Sequence, residues 1–384
     1  MASVALVGRG LRFQEEALWL VPLTLMSVGM LMVAQIVGFP FGLSPWSMLS
    51  SYASKALKAL PVIVGVAIVV QLALSARAAP RKPLSEFLVR IRQLFADPWL
   101  VAARIGPLLL MPIVFVAFSS LKMLMPRFVR FWLDDSFAAI DRALFLGRQP
   151  WELTHALLGS TEATLVIDRL YTLWILFLSI AIVTVALFGR RADRARFFMA
   201  FALGWILLGV GGAWLGSSAG PCFAEQIGAA SAPEFRGLVE RLQSISIATH
   251  GSLGASSWQQ VLWRAHSTET YSFGMGISAM PSLHNAVATL YALAAFRVGR
   301  LLGWSMTGYA VLIFVGSVHL GWHYAVDGLI GATAMALIWR WVDRWCRRCG
   351  YDEAVAGSTR GEVTGPLASA GYLAPSADCP GDRT

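Results

Sequence analysis

Two short stretches of this 384-residue chain carry residue types that could do chemistry together. One is Gly276-Ile277-Ser278-Ala279-Met280-Pro281-Ser282-Leu283-His284, and the other is Ser317-Val318-His319-Leu320-Gly321-Trp322-His323-Tyr324-Ala325-Val326-Asp327-Gly328. In the second, His323 and Asp327 are four apart and would share one face of a helix. A carboxylate that accepts a hydrogen bond from one imidazole nitrogen fixes the tautomer and leaves the other nitrogen as a nucleophile or base. In the first, Pro281 suits the first turn of a helix. The N–H groups of Ser282, Leu283 and His284 would then lack intrahelical partners and, with the positive end of the helix dipole, would form an anion site. The Ser282 hydroxyl adds a donor, and His284 adds a second proton carrier. Together these are the parts needed for phosphoryl transfer through a covalent phosphohistidine.

The elements that must position them are apolar. Hydrophobic residues make up 57% of the chain and charged ones only 14%, against about 25% charged in soluble domains. A soluble surface cannot be covered with so little charge, so lipid must cover much of it. Abundant Trp and Phe fit rings seated at the headgroup level. We expect an all-α, polytopic membrane helix bundle with about eight spans, each near the ~20 residues that cross a bilayer. They fall at 17–39, 57–76, 103–124, 165–188, 197–216, 280–298, 301–320 and 322–342. The first is read as a retained helix, being too long for a signal peptide. Residues 1–100 form an N-terminal two-helix membrane region with a cytoplasmic amphipathic helix. Residues 101–350 form the catalytic membrane domain, and 351–384 form a disordered cytoplasmic tail rich in Gly, Ala, Ser and Pro.

Basic residues are densest in the short connections that would face the cytoplasm, with Arg190, Arg191, Arg194 and Arg196 the clearest anchor. By the positive-inside rule both termini are then cytoplasmic, and the starts of spans six and eight meet at the extracytoplasmic face of the plasma membrane. The net charge of +9 reflects this orientation and not nucleic-acid binding, since no basic, aromatic-interleaved soluble segment exists. Two connections carry amphipathic stripes: Leu84, Phe87, Leu88, Ile91, Leu94 and Phe95 in one, and Phe235, Leu238, Val239, Leu242 and Ile245 in the other. The second stripe could roof the site. Cys346 and Cys349 supply at most half a zinc site, and no metal or cofactor is expected. Asp327, an ionisable residue a turn inside a membrane span, argues for function.

The pairing of P-S-L-H with H-x-x-x-D resembles the second and third signature motifs of the type 2 phosphatidic acid phosphatase (PAP2) superfamily, over roughly residues 165–342. The resemblance implies His323 as nucleophile, Asp327 as its partner, and His284 as general acid and then base. The phosphatase branch also has a K-x6-R-P motif and a Ser-Arg pair six residues ahead of the nucleophile. Here the first is missing, and Gly316 and Ser317 stand at the second. In this the chain looks like the inositol phosphorylceramide synthase (aureobasidin-resistance) branch. The stretch Ala219-Gly220-Pro221-Cys222-Phe223 is similar to an A-G-P-aromatic element of that branch. The implied partners are a phospholipid donor and a lipid-alcohol acceptor such as ceramide.

The missing arginines leave the equatorial phosphoryl oxygens without their usual positive charge. His319, one turn before His323 on a helix, and Arg264 are candidates to supply it. Ser317 and Gly220 are further candidate phosphate contacts, and Asp168 and Tyr171 could hold head-group hydroxyls or make helix–helix hydrogen bonds. His250 and His266 are read as ordinary loop residues. Two other functions are open at this point. One is hydrolysis of a lipid phosphate or polyprenyl pyrophosphate by the same site. The other is a non-enzymatic transporter or scaffold, for which paired broken helices in two related halves would be expected.

Overall fold

The computed structural model describes residues 2–94, 98–272 and 274–351. Apart from Tyr351, the tail expected over 351–384 lies outside the described residues, as does Cys379. Among the described residues the chain is helix and connecting loop, without a strand. In chain order the helices are α1 (Ala2–Gly38), α2 (Pro45–Ala78), α3 (Pro83–Leu94), α4 (Pro98–Phe128), α5 (Asp134–Leu144), α6 (Pro150–Leu158), α7 (Thr161–Thr172), α8 (Trp174–Phe188) and α9 (Arg191–Gly204). A π-helical stretch, Trp205–Gly212, carries α9 into the short α10 (Ala213–Leu215). Then come α11 (Ala232–Ala248), α12 (Gly254–Ser267), α13 (Leu283–Val298), α14 (Arg300–His319) and α15 (Ala325–Arg348).

Among the described residues, seven helical spans of 18 residues or more are apolar enough to cross a membrane: Glu16–Phe41, Leu60–Arg77, Pro98–Phe128, Thr161–Phe188, Arg191–Leu215, Arg300–His319 and Ala325–Arg348. The chain is thus an all-α polytopic bundle, as the sequence suggested. The remaining expected stretch, at 280–298, is a shorter helix. Helix α13 has only 16 residues, about 24 Å at 1.5 Å per residue, against the ~30 Å of a hydrocarbon core. It is short because Ser282, with extended backbone, is its N-cap and accepts a hydrogen bond from the Asn285 N–H. Residues 274–282 therefore stay non-helical. Such backbone is tolerated at membrane depth when protein surrounds it, and α13 is enclosed by α9, α14 and α15.

Ion pairs knit the end of the bundle away from the two signature motifs. Arg194 is buried and pairs with Glu16 (3.1 Å), joining α9 to α1. Arg196, fully buried, pairs with Asp343 of α15 (2.7 Å). Arg297 of α13 reaches Asp193 (2.5 Å). Two of the four arginines expected to anchor in headgroups are therefore engaged inside the bundle, where loss of one partner would strand a charge.

The other end is closed by short helices. The apolar stripe of α11 is buried at Phe235, Leu238, Leu242 and Ile245, and Phe235 meets the Tyr324 ring edge-on, with centroids 5.6 Å apart. Helix α5 supplies the fastening. Both oxygens of Asp141 accept from the first two amides of α15, Ala325 (2.6 Å) and Val326 (2.9 Å). This caps the dipole of α15 with a negative charge from another helix.

Burial pushes the Asp141 carboxyl up from 3.8 to about 6, against the opposing pull of the two amides. The folded protein therefore holds this proton more tightly than the unfolded chain does. The stabilisation from it is present below the unfolded pKa and is lost as pH rises through about 6. The melting midpoint in detergent of the wild type minus that of Asp141→Asn is expected to fall between about pH 4 and pH 7. A difference that does not change with pH would contradict this.

Candidate active site

The two signature segments meet. The His284 and His323 ring centroids are 5.7 Å apart. His323 Nδ1 lies 3.7 Å from Asp327 Oδ2, just outside hydrogen-bond distance, and neither His323 Nδ1 nor Asp327 Oδ1 has another partner. The local route differs from the one expected. Residues 320–324 are not helical, Tyr324 is the N-cap of α15, and Asp327 is its N3 residue. The Asp327 carboxylate reaches back to the Tyr324 N–H (3.1 Å) in a capping arrangement. His323 and Asp327 therefore meet across a helix start and not along a helix face. His323 is held by its own amide, which donates to the Ser317 carbonyl (3.2 Å).

At the mouth of α13 the anion cradle is smaller than expected. Pro281 precedes the N-cap and is not in the first turn. The Ser282 amide donates to the Asp327 carbonyl (3.2 Å), and the Ser282 hydroxyl accepts from the Asn285 amide and side chain. The amides of Leu283 and His284, in the first helical turn, keep no intrahelical partner. His284 is walled by aromatics. Tyr171 stacks on it at 5.0 Å and 27°, and Trp174 lies at 4.5 Å. The Trp174 Nε1–H donates to the His284 carbonyl (3.2 Å). The buried Tyr171 hydroxyl has no partner.

Several other candidates are placed elsewhere. His319 ends α14 and turns towards α6 and α7. Its Nε2 shares a hydrogen bond with Thr164 Oγ1 (3.0 Å) and its Nδ1 one with Thr154 Oγ1 (3.3 Å), while its ring lies 4.2 Å from that of His155. It is a helix–helix contact, because the chain leaves α14 there and His323 is not on the same helix. Burial holds the neighbouring His155 below the usual imidazole range. Ser317 donates its hydroxyl to the Phe314 carbonyl (2.8 Å) and accepts from Asn285 (3.3 Å). Asp168 accepts from the Gly254 and Ala255 amides (2.8 and 2.9 Å), so its carboxylate caps α12 and is not turned to the histidines. Arg264 lines a separate groove with Cys222, Gln243, Gln260 and Trp263, and neither His284 nor His323 is among its walls. The Gly220 amide is taken by Asp134 (2.9 Å).

Asp134 was not legible as a site residue, yet it organises this end. It is buried and accepts from the Ser218 hydroxyl (2.9 Å), the Ala219 and Gly220 amides and the Tyr324 hydroxyl (3.2 Å). The stretch 218–220 is thereby clamped beside the loop that carries His323. Asp134 and Asp141, seven apart on an amphipathic helix, were the available signal. Trp174 could have been found from its spacing of three from Tyr171. A third residue, Lys122, falls at the end of the span read at 103–124, where nothing in the local sequence marks it as a site residue.

Compared with known proteins, residues 135–341 match the family model described as PAP2 superfamily, which covers just over half of the chain. No curated protein and no solved structure matches it. Helices α1 to α4 lie outside the matched segment.

Gly220 permits a close approach beside His323. Its φ is +99°, and a Cβ there would lie 2.7 Å from the Trp322 carbonyl oxygen, one residue before His323. Gly220→Ala is therefore expected to displace the His323 loop and lower turnover at least about tenfold, with the helical circular-dichroism signal retained. Unchanged turnover would show that the 219–220 stretch does not position His323.

Proposed function

The chain belongs to the PAP2 superfamily, and from that premise we propose that it is a lipid head-group phosphotransferase working through a phosphohistidine. The observation that carries this reading is the pairing of two imidazoles 5.7 Å apart with a buried carboxylate beside one of them, at a helix mouth with open amides. Asp327, 3.7 Å from His323 Nδ1, accepts the Nδ1–H once the two close by a few tenths of an ångström on substrate binding, which leaves Nε2 to attack. The donor is a phosphodiester lipid, with phosphatidylinositol the leading candidate. His323 Nε2 forms a bond to phosphorus as the bond to the diacylglycerol oxygen breaks, and protonated His284 gives its proton to that oxygen. The head-group phosphate is then carried on His323. An acceptor hydroxyl, such as that of ceramide, loses its proton to His284 as its oxygen attacks phosphorus, which releases His323 and restores both rings. The Leu283 and His284 amides stabilise the developing charge, and the unpartnered Tyr171 hydroxyl is placed to meet a head-group hydroxyl.

The site end of the bundle faces away from the cytoplasm in this reading. The basic cluster that closes α15, Arg340, Arg344, Arg347 and Arg348, lies at the other end, and the positive-inside rule puts that end in the cytoplasm. With Arg148→Cys in the exposed turn between α5 and α6, a membrane-impermeant thiol reagent is expected to label intact cells. Protection until the cells are opened would reverse the orientation.

The reaction itself is tested with purified protein, labelled phosphatidylinositol and a panel of lipid alcohols, with products read by mass. Transfer to an added alcohol is expected. His323→Ala should keep less than about 1% of turnover, and His284→Ala should lose about 10²- to 10⁴-fold. An acid-labile, base-stable phosphoryl label should appear on the wild type and not on His323→Ala. Release of head-group phosphate to water at the same rate with and without alcohols would replace transfer by hydrolysis. Substantial turnover by His323→Ala would remove it as nucleophile.

A further inference from the structure

Lys122 lies on α4, within the span Pro98–Phe128, four residues past Phe118 on the same helix face. A charged group in a membrane-spanning helix is costly, and such residues ordinarily face the bundle interior and pair with an opposite charge. Lys122 has no ion pair or hydrogen bond among the described residues. The neighbour its ammonium does have is the Phe118 ring, 5.9 Å from the centroid. Phe118 and Leu283, the first residue of α13, meet over Gly209, which brings this face of α4 to the open helix mouth. On the other side, Gly276, with φ +99°, packs against the Lys122 stem. A Cβ there would come within 3.2 Å of Lys122 Cγ and of the Met123 amide. Any side chain at 276 would push the loop leading to His284 off this lysine. The Lys122 ammonium is near enough for its field to reach the His284 ring.

We propose that Lys122 is the cation of the phosphate site, its ammonium set against a non-bridging phosphoryl oxygen while His323 attacks. This rests on the reading of the pocket as a phosphoryl-transfer site. The charge is then supplied from α4, outside the segment that matches the family model. A single ammonium with two amides matches the one negative charge of a phosphodiester better than the two of a monoester, so it also sets the class of substrate.

The test uses the full-length protein in detergent and two independent readouts. Binding of inorganic phosphate to the resting protein is followed by phosphorus NMR, and turnover of labelled phosphatidylinositol is measured separately. Lys122→Met is expected to weaken phosphate binding at least about tenfold and to lower kcat/KM about 10²- to 10³-fold, the range for loss of one oxyanion donor. Lys122→Arg should recover at least about a tenth of both. Should Lys122→Met fail to fold, Lys122→Arg and Lys122→Gln carry the comparison, and only the arginine should bind phosphate. Unchanged phosphate affinity in the methionine or glutamine variant would overturn the proposal, as would equal loss in all variants that follows their melting midpoints. Phosphate binding that needs Lys122 in a wild type that turns over no lipid would sink the transferase reading and leave this one standing. Lipid turnover that ignores Lys122 would do the reverse.

Discussion

The carboxylates of Asp134 and Asp141, two turns apart on one short helix, fasten the 218–220 stretch and the start of α15, between which the site is built. A membrane bundle gains little by folding loops at its own depth, because each unpaired N–H or C=O there costs more than in water. Here the loops are held by charge. Asp134 gathers the 218–220 stretch and the Tyr324 hydroxyl, and Asp141 seats the start of α15. Backbone bonds complete the stitching: Ala279 to Ser218, Cys222 to Gly321, and Ser282 to Asp327. Three segments distant in sequence thus share one hydrogen-bonded floor, and the two histidines stand on it.

This arrangement gives two adjacent helix mouths opposite fates. The start of α15 is filled by Asp141, so its dipole is already neutralised and an incoming anion gains little there. The start of α13 has its N-cap hydroxyl turned inward to Asn285, which leaves the Leu283 and His284 amides open. The positive field of the pocket is thereby directed to the side of His284, the same side on which Lys122 lies. His323, beside the closed mouth, keeps a carboxylate as its near neighbour. One ring therefore sits beside open amides and the other beside a carboxylate.

The apolar bulk of the chain was easy to read because lipid-facing helices need only length and hydrophobicity, and the spans through α1, α4, α8, α9, α14 and α15 follow from that. The later start of α13 has a specific cause. Hydropathy runs on through 280–298, but Ser282 stops the helix through a side-chain bond that hydropathy does not register. The same kind of event separates His323 from Asp327. Their spacing of four reads as a helix face, whereas the chain breaks at Leu320 and restarts at Ala325. His319 was drawn towards the site by an imagined continuous helix, and the break turns it to Thr154 and Thr164 instead.

Residue type and spacing alone determined that this is a helical membrane protein with P-S-L-H and H-x-x-x-D near the starts of two late segments, because those features depend only on local order along the chain. Which groups surround the two histidines was decided by the tertiary structure. Tyr171, Trp174, Asp134, Asp141 and Lys122 come from helices up to about 200 residues away in sequence, and only packing brings them to one end of the bundle. An isolated Lys in an apolar run or an Asp in a loop carries no mark of its destination. Its meaning comes from the charge, ring or amide that folding sets opposite it.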